Sequence, residues 1–146
     1  DLLKREYIRV KKQVTDWKEA IRVCATPLLK SNYITKEYVE AMIHSVVKYG
    51  PYIVIAPKVA IPHASPDDGV HTLGMSFLCL EKGVRFSDSR KHEVQVVIVL
   101  ASIDGETHLT ALSQLTQMLT DPENLTEIIQ SQSAERIIEM IEAYSN

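Results

Sequence analysis

The run Val94-Gln95-Val96-Val97-Ile98-Val99-Leu100-Ala101 constrains this chain more than any other stretch. Its β-branched residues are consecutive rather than alternating, which suits a strand covered on both faces. Such a strand belongs in the middle of a sheet with helices on both sides. At 146 residues the chain fits one domain, 1–146. Hydrophobic residues make up 45% and charged residues 24%, enough apolar material for a core and too little charge for disorder.

Local signals order the rest. Residues 1–13 interleave Lys4, Arg5, Arg9, Lys11 and Lys12 with Tyr7, Ile8 and Val10. They read either as a short solvated element at the domain edge or as a patch for phosphate or a partner. Asp16-Trp17-Lys18-Glu19 is a capping box opening a helix with Trp17, Ala20, Ile21, Cys24 and Leu28 on one face. Pro27 and Lys30-Ser31-Asn32 are expected to end it. Thr35 caps a second helix with an apolar stripe of Val39, Met42, Ile43, Val46 and Val47. Two helices before the first strand are unlike a dinucleotide-binding start. Gly74 to Leu80 reads as a strand, Lys82-Gly83 as a turn, Val84-Arg85-Phe86 as a short extended piece and 87–92 as a polar loop. After the central strand, Leu109, Leu112, Leu115, Met118 and Leu119 mark a helix. Asp121-Pro122 starts a short one through Ile128 and Ile129, and Ser133 caps the last, with Ile137, Ile138 and Ile141.

The stretch from Lys48 to Ala64 carries the chemistry. Gly50-Pro51 stops the second helix. Ile53-Val54-Ile55 and Val59-Ala60-Ile61 suit a buried sheet, and Pro57 and Pro62 cut them short because proline donates no ladder hydrogen bond. His63 therefore leaves the sheet on a stiff backbone. Ser65-Pro66-Asp67-Asp68-Gly69 follows as a turn-rich loop, with Asp67 and Asp68 as turn formers rather than general bases. His108 falls just after the central strand, where ligands of α/β sheets gather. A helix start there suits an anion and would keep the imidazole neutral. His108 is either a binding group or a capping-region histidine. His44 reads as a helix-surface residue and His92 as a solvated loop residue, while His71 follows the His63 loop closely enough to lie near it.

Other classes find little support. The net charge of −3 argues against a nucleic-acid binder. No apolar run reaches the roughly 20 residues of a membrane span and no signal-peptide pattern is present, so a cytoplasmic protein without direct membrane insertion is expected. Asp1 in place of Met suggests a trimmed chain or one cut from something longer. The two cysteines, Cys24 and Cys79, lack CxxC partners and read as buried small hydrophobes. No GxxxxGK[ST] or glycine-rich phosphate loop is present, so no cofactor is expected. A metal hydrolase built on His63, His71, His92 or His108 lacks HExxH spacing and an acidic third ligand, so no metal is expected either.

Tyr49-Gly50-Pro51-Tyr52, an apolar run, proline, alanine and then Pro62-His63-Ala64 resemble the active-site region of phosphotransferase system (PTS) IIA components. Within the mannitol/fructose superfamily the string looks most like the L-ascorbate type, and the resemblance runs from about Trp17 to Tyr144. It implies an α/β fold, a three-layer sandwich with a mixed central β-sheet flanked by helices on both faces. It also implies a phosphotransferase in which His63 accepts a phosphoryl group from the phospho-histidine carrier protein HPr. That group passes to a cysteine of the cognate IIB component, for phosphoenolpyruvate-dependent sugar uptake through a membrane IIC permease. Thr107-His108-Leu109 matches the place of the family's second histidine, which makes His108 the neighbour that stabilises or orients phosphohistidine. Mannitol-type members carry an arginine on the helix before the active-site strand. Ile43-His44-Ser45-Val46 has none, in keeping with the ascorbate type. The competing reading is a IIA-like regulatory domain of a transcription factor controlled by histidine phosphorylation.

Overall fold

The computed structural model describes residues 3–104 and 109–145, the side chains of 109–111 and 145 excepted. In chain order the elements are β1 (Ile8–Lys11), α1 (Trp17–Lys30), α2 (Lys36–Tyr49), β2 (Val54–Ala56), β3 (Lys58–Ala60), β4 (Gly74–Arg85), β5 (Glu93–Ala101), α3 (Leu109–Thr120), α4 (Pro122–Ser131) and α5 (Ala134–Ser145). The sheet order is β1-β4-β5-β3-β2. β1 runs parallel to β4 and β3 parallel to β5, whereas β4–β5 and β2–β3 are antiparallel, so the sheet is mixed. β5 takes the middle place, and Val94 and Val96 to Ala101 are all buried.

Two buried side chains of β4 locate the flanking layers. Ser76 Oγ donates to the Cys24 carbonyl of α1 at 2.7 Å, while Cys79 Sγ lies 3.8 Å from the Ile128 carbonyl of α4. Positions three apart on a strand point to opposite faces, so α1 and α4 cover opposite sides of the sheet. The α/β three-layer sandwich expected from the family resemblance is the architecture observed. Both thiols are buried small groups, and burial pushes each up to about 12, well away from reactive thiolate.

The caps act as expected. Asp16 accepts from the Glu19 N–H, Thr35 from that of Tyr38, Asp121 from those of Glu123 and Asn124, and Ser133 from that of Arg136. Several boundaries differ from the sequence reading. α1 continues through Pro27, which is buried inside it, and ends at Lys30. Proline forfeits only its own N–H bond, and the Pro27 carbonyl still accepts from Ser31 at 3.1 Å. Lys82-Gly83 does not turn the chain. β4 runs on to Arg85 across an irregularity between Cys79 and Val84, and the Lys82 N–H is taken by the Lys12 carbonyl at 2.9 Å. Residues 3–13 lie at the domain edge but are not merely solvated, and they hold a strand ahead of the two helices expected to come first: β1 pairs with β4, Tyr7 and Ile8 are buried, and Arg5 pairs with Glu135 of α5. Val47 is no core residue. It is 63% exposed, turned out of the stripe that buries Met42, Ile43 and Val46.

Candidate functional site

The β2–β3 hairpin forms one margin of the sheet, with Ile53, Val59, Ala60 and Ile61 buried as expected and Ile55 the exception. Ile55 is 45% exposed, because β2 is the outermost strand. Pro57 and Lys58 make the turn, with Lys58 at φ 72° where a type II turn needs a left-handed residue. Beyond the ladder the Ile61 N–H donates to the Ile53 carbonyl at 2.9 Å, which keeps the two segments together past Ala60. Pro62 then leads to His63, whose side chain is exposed.

The backbone around His63 is held on both sides. The Leu100 N–H of β5 donates to the Pro62 carbonyl at 3.2 Å. On the other side the Ala64 N–H donates to the Tyr38 hydroxyl at 3.1 Å, and that hydroxyl donates to the Leu100 carbonyl at 2.6 Å. Tyr38 of α2 thus joins the histidine segment to the end of the central strand. It is fully buried, and burial pushes its hydroxyl up to about 12, so it stays a neutral donor. The sequence reading passed over Tyr38. Its signal was present: it stands four residues before Met42, on the buried stripe of α2.

Among the described residues the imidazole has one polar contact, to a backbone carbonyl. His63 Nδ1 lies 2.9 Å from the Ile61 carbonyl. A carbonyl only accepts, so Nδ1 carries a proton, and in the neutral ring Nε2 is then the nitrogen with the free lone pair. The Tyr52 ring packs beside it, centroids 6.0 Å apart at 86°. Tyr49 packs on Tyr52 at 6.4 Å and 83°, and Lys48 Nζ sits 5.2 Å from the Tyr49 ring centre. An exposed imidazole whose Nδ1 is engaged by a carbonyl presents Nε2, in its neutral form, as a nucleophile to a group arriving from outside.

His108 lies outside the described residues. His71 Nδ1 donates to the Asn32 carbonyl, 3.2 Å away, and its backbone N–H donates to the Tyr33 carbonyl, which anchors it on the α1–α2 connection. His44 is exposed on α2, as expected. His92 departs from the solvated reading: it is half-buried, with Nδ1 2.6 Å from Ser87 Oγ within the β4–β5 connection. Asp68 forms a turn as expected, accepting from the Ser65 N–H at 3.2 Å. Among the described residues no three His, Cys, Asp or Glu side chains stand close enough to share a metal ion, and no helix is long and apolar enough to cross a membrane.

Comparison with known proteins agrees with this architecture. The family described as "Phosphoenolpyruvate-dependent sugar phosphotransferase system, EIIA 2" matches residues 1–144. The mannitol-specific cryptic phosphotransferase enzyme IIA component of Escherichia coli K12 is 33% identical, over 97% of this chain and 95% of that protein. The ascorbate-specific PTS system EIIA component of the same strain is 28% identical, over 97% and 92%. Among solved structures, the complex of enzyme IIAMTL with phosphorylated enzyme IIBMTL from Escherichia coli includes a chain that superposes with a TM-score of 0.83. It is 25% identical, over 97% of this chain and 99% of that one. With a match over nearly its whole length and the sheet and helices in place, this chain belongs to the EIIA type 2 family of the phosphoenolpyruvate-dependent sugar phosphotransferase system.

Proposed function

We propose that the chain, acting as a single cytoplasmic EIIA domain, accepts a phosphoryl group on His63 Nε2 from HPr and passes it to a cysteine of the cognate IIB component. The observation that carries the reading is the 2.9 Å contact of His63 Nδ1 with the Ile61 carbonyl on an exposed ring. In the transfer, the Nε2 lone pair forms the new N–P bond. The donor's P–N bond breaks, and its electron pair returns to the donor imidazole. The proton on Nδ1 stays where it is, and the Ile61 carbonyl stabilises the positive character the ring gains. The transition state is loose, with charge on the equatorial oxygens, so the protein's work is position and hydrogen bonding rather than acid–base chemistry. An acceptor thiolate on IIB reverses the bond changes at the same nitrogen.

His108 is proposed, on the family resemblance, as the neighbour that stabilises or orients the phosphohistidine. IIC receives the phosphoryl group only indirectly, through IIB. The sugar is proposed to be of the L-ascorbate type, on the Tyr49-Gly50-Pro51-Tyr52 and Pro62-His63-Ala64 strings, and uptake assays with ascorbate and mannitol separate the two classes.

The test is incubation with phosphoenolpyruvate, enzyme I and HPr. The wild type is expected to gain an acid-labile, base-stable phosphate that then leaves on adding IIB. His63→Ala is expected to lose labelling entirely with an unchanged melting temperature, since the side chain is exposed. Labelling that survives in His63→Ala overturns the assignment.

A further inference from the structure

An exposed histidine held, among the described residues, by one hydrogen bond is not by that bond alone a fixed nucleophile. Exposed side chains change rotamer on the picosecond to nanosecond scale, and imidazole also turns about its second torsion. A half-turn there would take Nδ1 off the Ile61 carbonyl and swing Nε2 away. Among the described residues, an aromatic ring meets the flank of the imidazole that the carbonyl does not hold. Tyr52 is the aromatic side chain packed there, nearly perpendicular to the imidazole at 6.0 Å.

The local chain is built to bring the two together. Gly50 ends α2 at φ 84°, a conformation glycine takes without strain. The Val54 N–H then closes a turn on the Pro51 carbonyl at 3.0 Å. Ile53 is buried and its carbonyl takes the Ile61 N–H, so the side chains just outside that pair, Tyr52 and His63, meet at the open end of the hairpin. Burial is not why a tyrosine stands there, since Tyr52 is 47% exposed. Its hydroxyl is not needed for the ring contact either. Tyr49 backs it from the far side at 6.4 Å.

Resting on the phosphoryl-acceptor reading of His63, we infer that Tyr52 is a positioning residue, whose ring clamps the imidazole so that Nε2 faces outward before any partner arrives. It does not touch the reacting atoms in this account. It restricts the orientation of the group that does.

Phosphoramidate separates this role from a docking contact, because a small phosphoryl donor needs no protein surface. Attack by Nε2 on its phosphorus breaks the P–N bond and releases ammonia, the same bond change as transfer from HPr. In Tyr52→Ala, His63 labelling is expected to slow about tenfold with phosphoramidate and with phospho-HPr alike, as loss of orientation predicts. The apparent KM for HPr should stay within about twofold and the melting temperature should hold, in line with a half-exposed side chain. Tyr52→Phe is expected to restore the wild-type rate in both assays. Nitrogen-15 NMR of the unphosphorylated protein should move the His63 ring signals in Tyr52→Ala toward averaged tautomers, and leave them in place in Tyr52→Phe. Labelling of Tyr52→Ala by phosphoramidate at the wild-type rate overturns the inference. So does a defect confined to a raised KM for HPr, which would make Tyr52 a docking residue. A wild type that takes no phosphate on His63 overturns the acceptor reading and the inference with it, whereas unmoved ring signals in Tyr52→Ala overturn the inference alone.

Discussion

The middle of the sheet and its β2–β3 margin use similar residues in opposite ways. In the middle, Phe77, Leu78, Val96 and Val97 are fully buried, and ladders on both sides pair their backbone. At the margin, Tyr49, Tyr52 and Ile55 stand out in solvent, while single hydrogen bonds from β5 and Tyr38 clamp the backbone of 62–64. Burial in the middle supplies stability through area removed from water. At the margin Tyr49, Tyr52 and Ile55 are spared from the core, and the backbone is held so that one imidazole keeps its place. Stability and reach are thus carried by different parts of one sheet.

The contrast breaks most visibly in alkali. Cys24 and Cys79 are pushed from an ordinary value of 9.0 to about 12, and Tyr38 from 10.0 to about 12. A group whose folded value is raised adds stability that is fully present below its unfolded value and is lost as pH climbs toward the folded one. Each such group costs about 1.4 kcal/mol per pH unit over that window. Stability is therefore expected to be flat with respect to these groups below pH ~9 and to fall by several kcal/mol by pH ~11, as denaturant titrations across that range would register. A flat profile would mean that these side chains are open to water.

Truncation sharpens the same contrast. Phe77→Ala is expected to lose about 3–5 kcal/mol, as deletion of a buried aromatic does. Val47→Ser, on the exposed face of α2, should stay within about 0.5 kcal/mol. Urea melts of the two variants compare them directly. Between those two lies Tyr38→Phe, which strips the hydroxyl from the Ala64 N–H and the Leu100 carbonyl. The expected cost is about 1–3 kcal/mol for leaving buried polar groups unpaired. Because that hydroxyl also steadies the segment bearing His63, transfer from phospho-HPr should slow as well. A variant that loses stability but transfers at the wild-type rate would show that the clamp serves the fold alone.

Much of this was legible in the residues. The capping side chains Asp16, Thr35, Asp121 and Ser133 act on N–H groups two or three positions away, so their effect is local and readable. The unbroken run 94–101 implied burial on both faces, and β5 lies between β4 and β3 with α1 and α4 on opposite sides. The misreadings have a common cause. Lys82-Gly83 looks like a turn only until Lys12, seventy positions earlier by its number, is found to take the Lys82 N–H. Pro27 looks like a helix stop until its ring is found packed in the core. Ile55 looks like a core residue until the sheet is found to end at β2.

What the sequence determined by itself is where helices begin, which strand is central, and that His63 leaves the sheet directly after a proline. Each of these depends on neighbours within a few residues or on the run of one segment. Tertiary structure alone decided the proton on His63 Nδ1, the Tyr52 ring at its flank and the tie from Tyr38 to Leu100, 62 positions apart. Those depend on which groups meet once the chain has closed on itself, and a hydrogen bond or ring contact exists only at that distance.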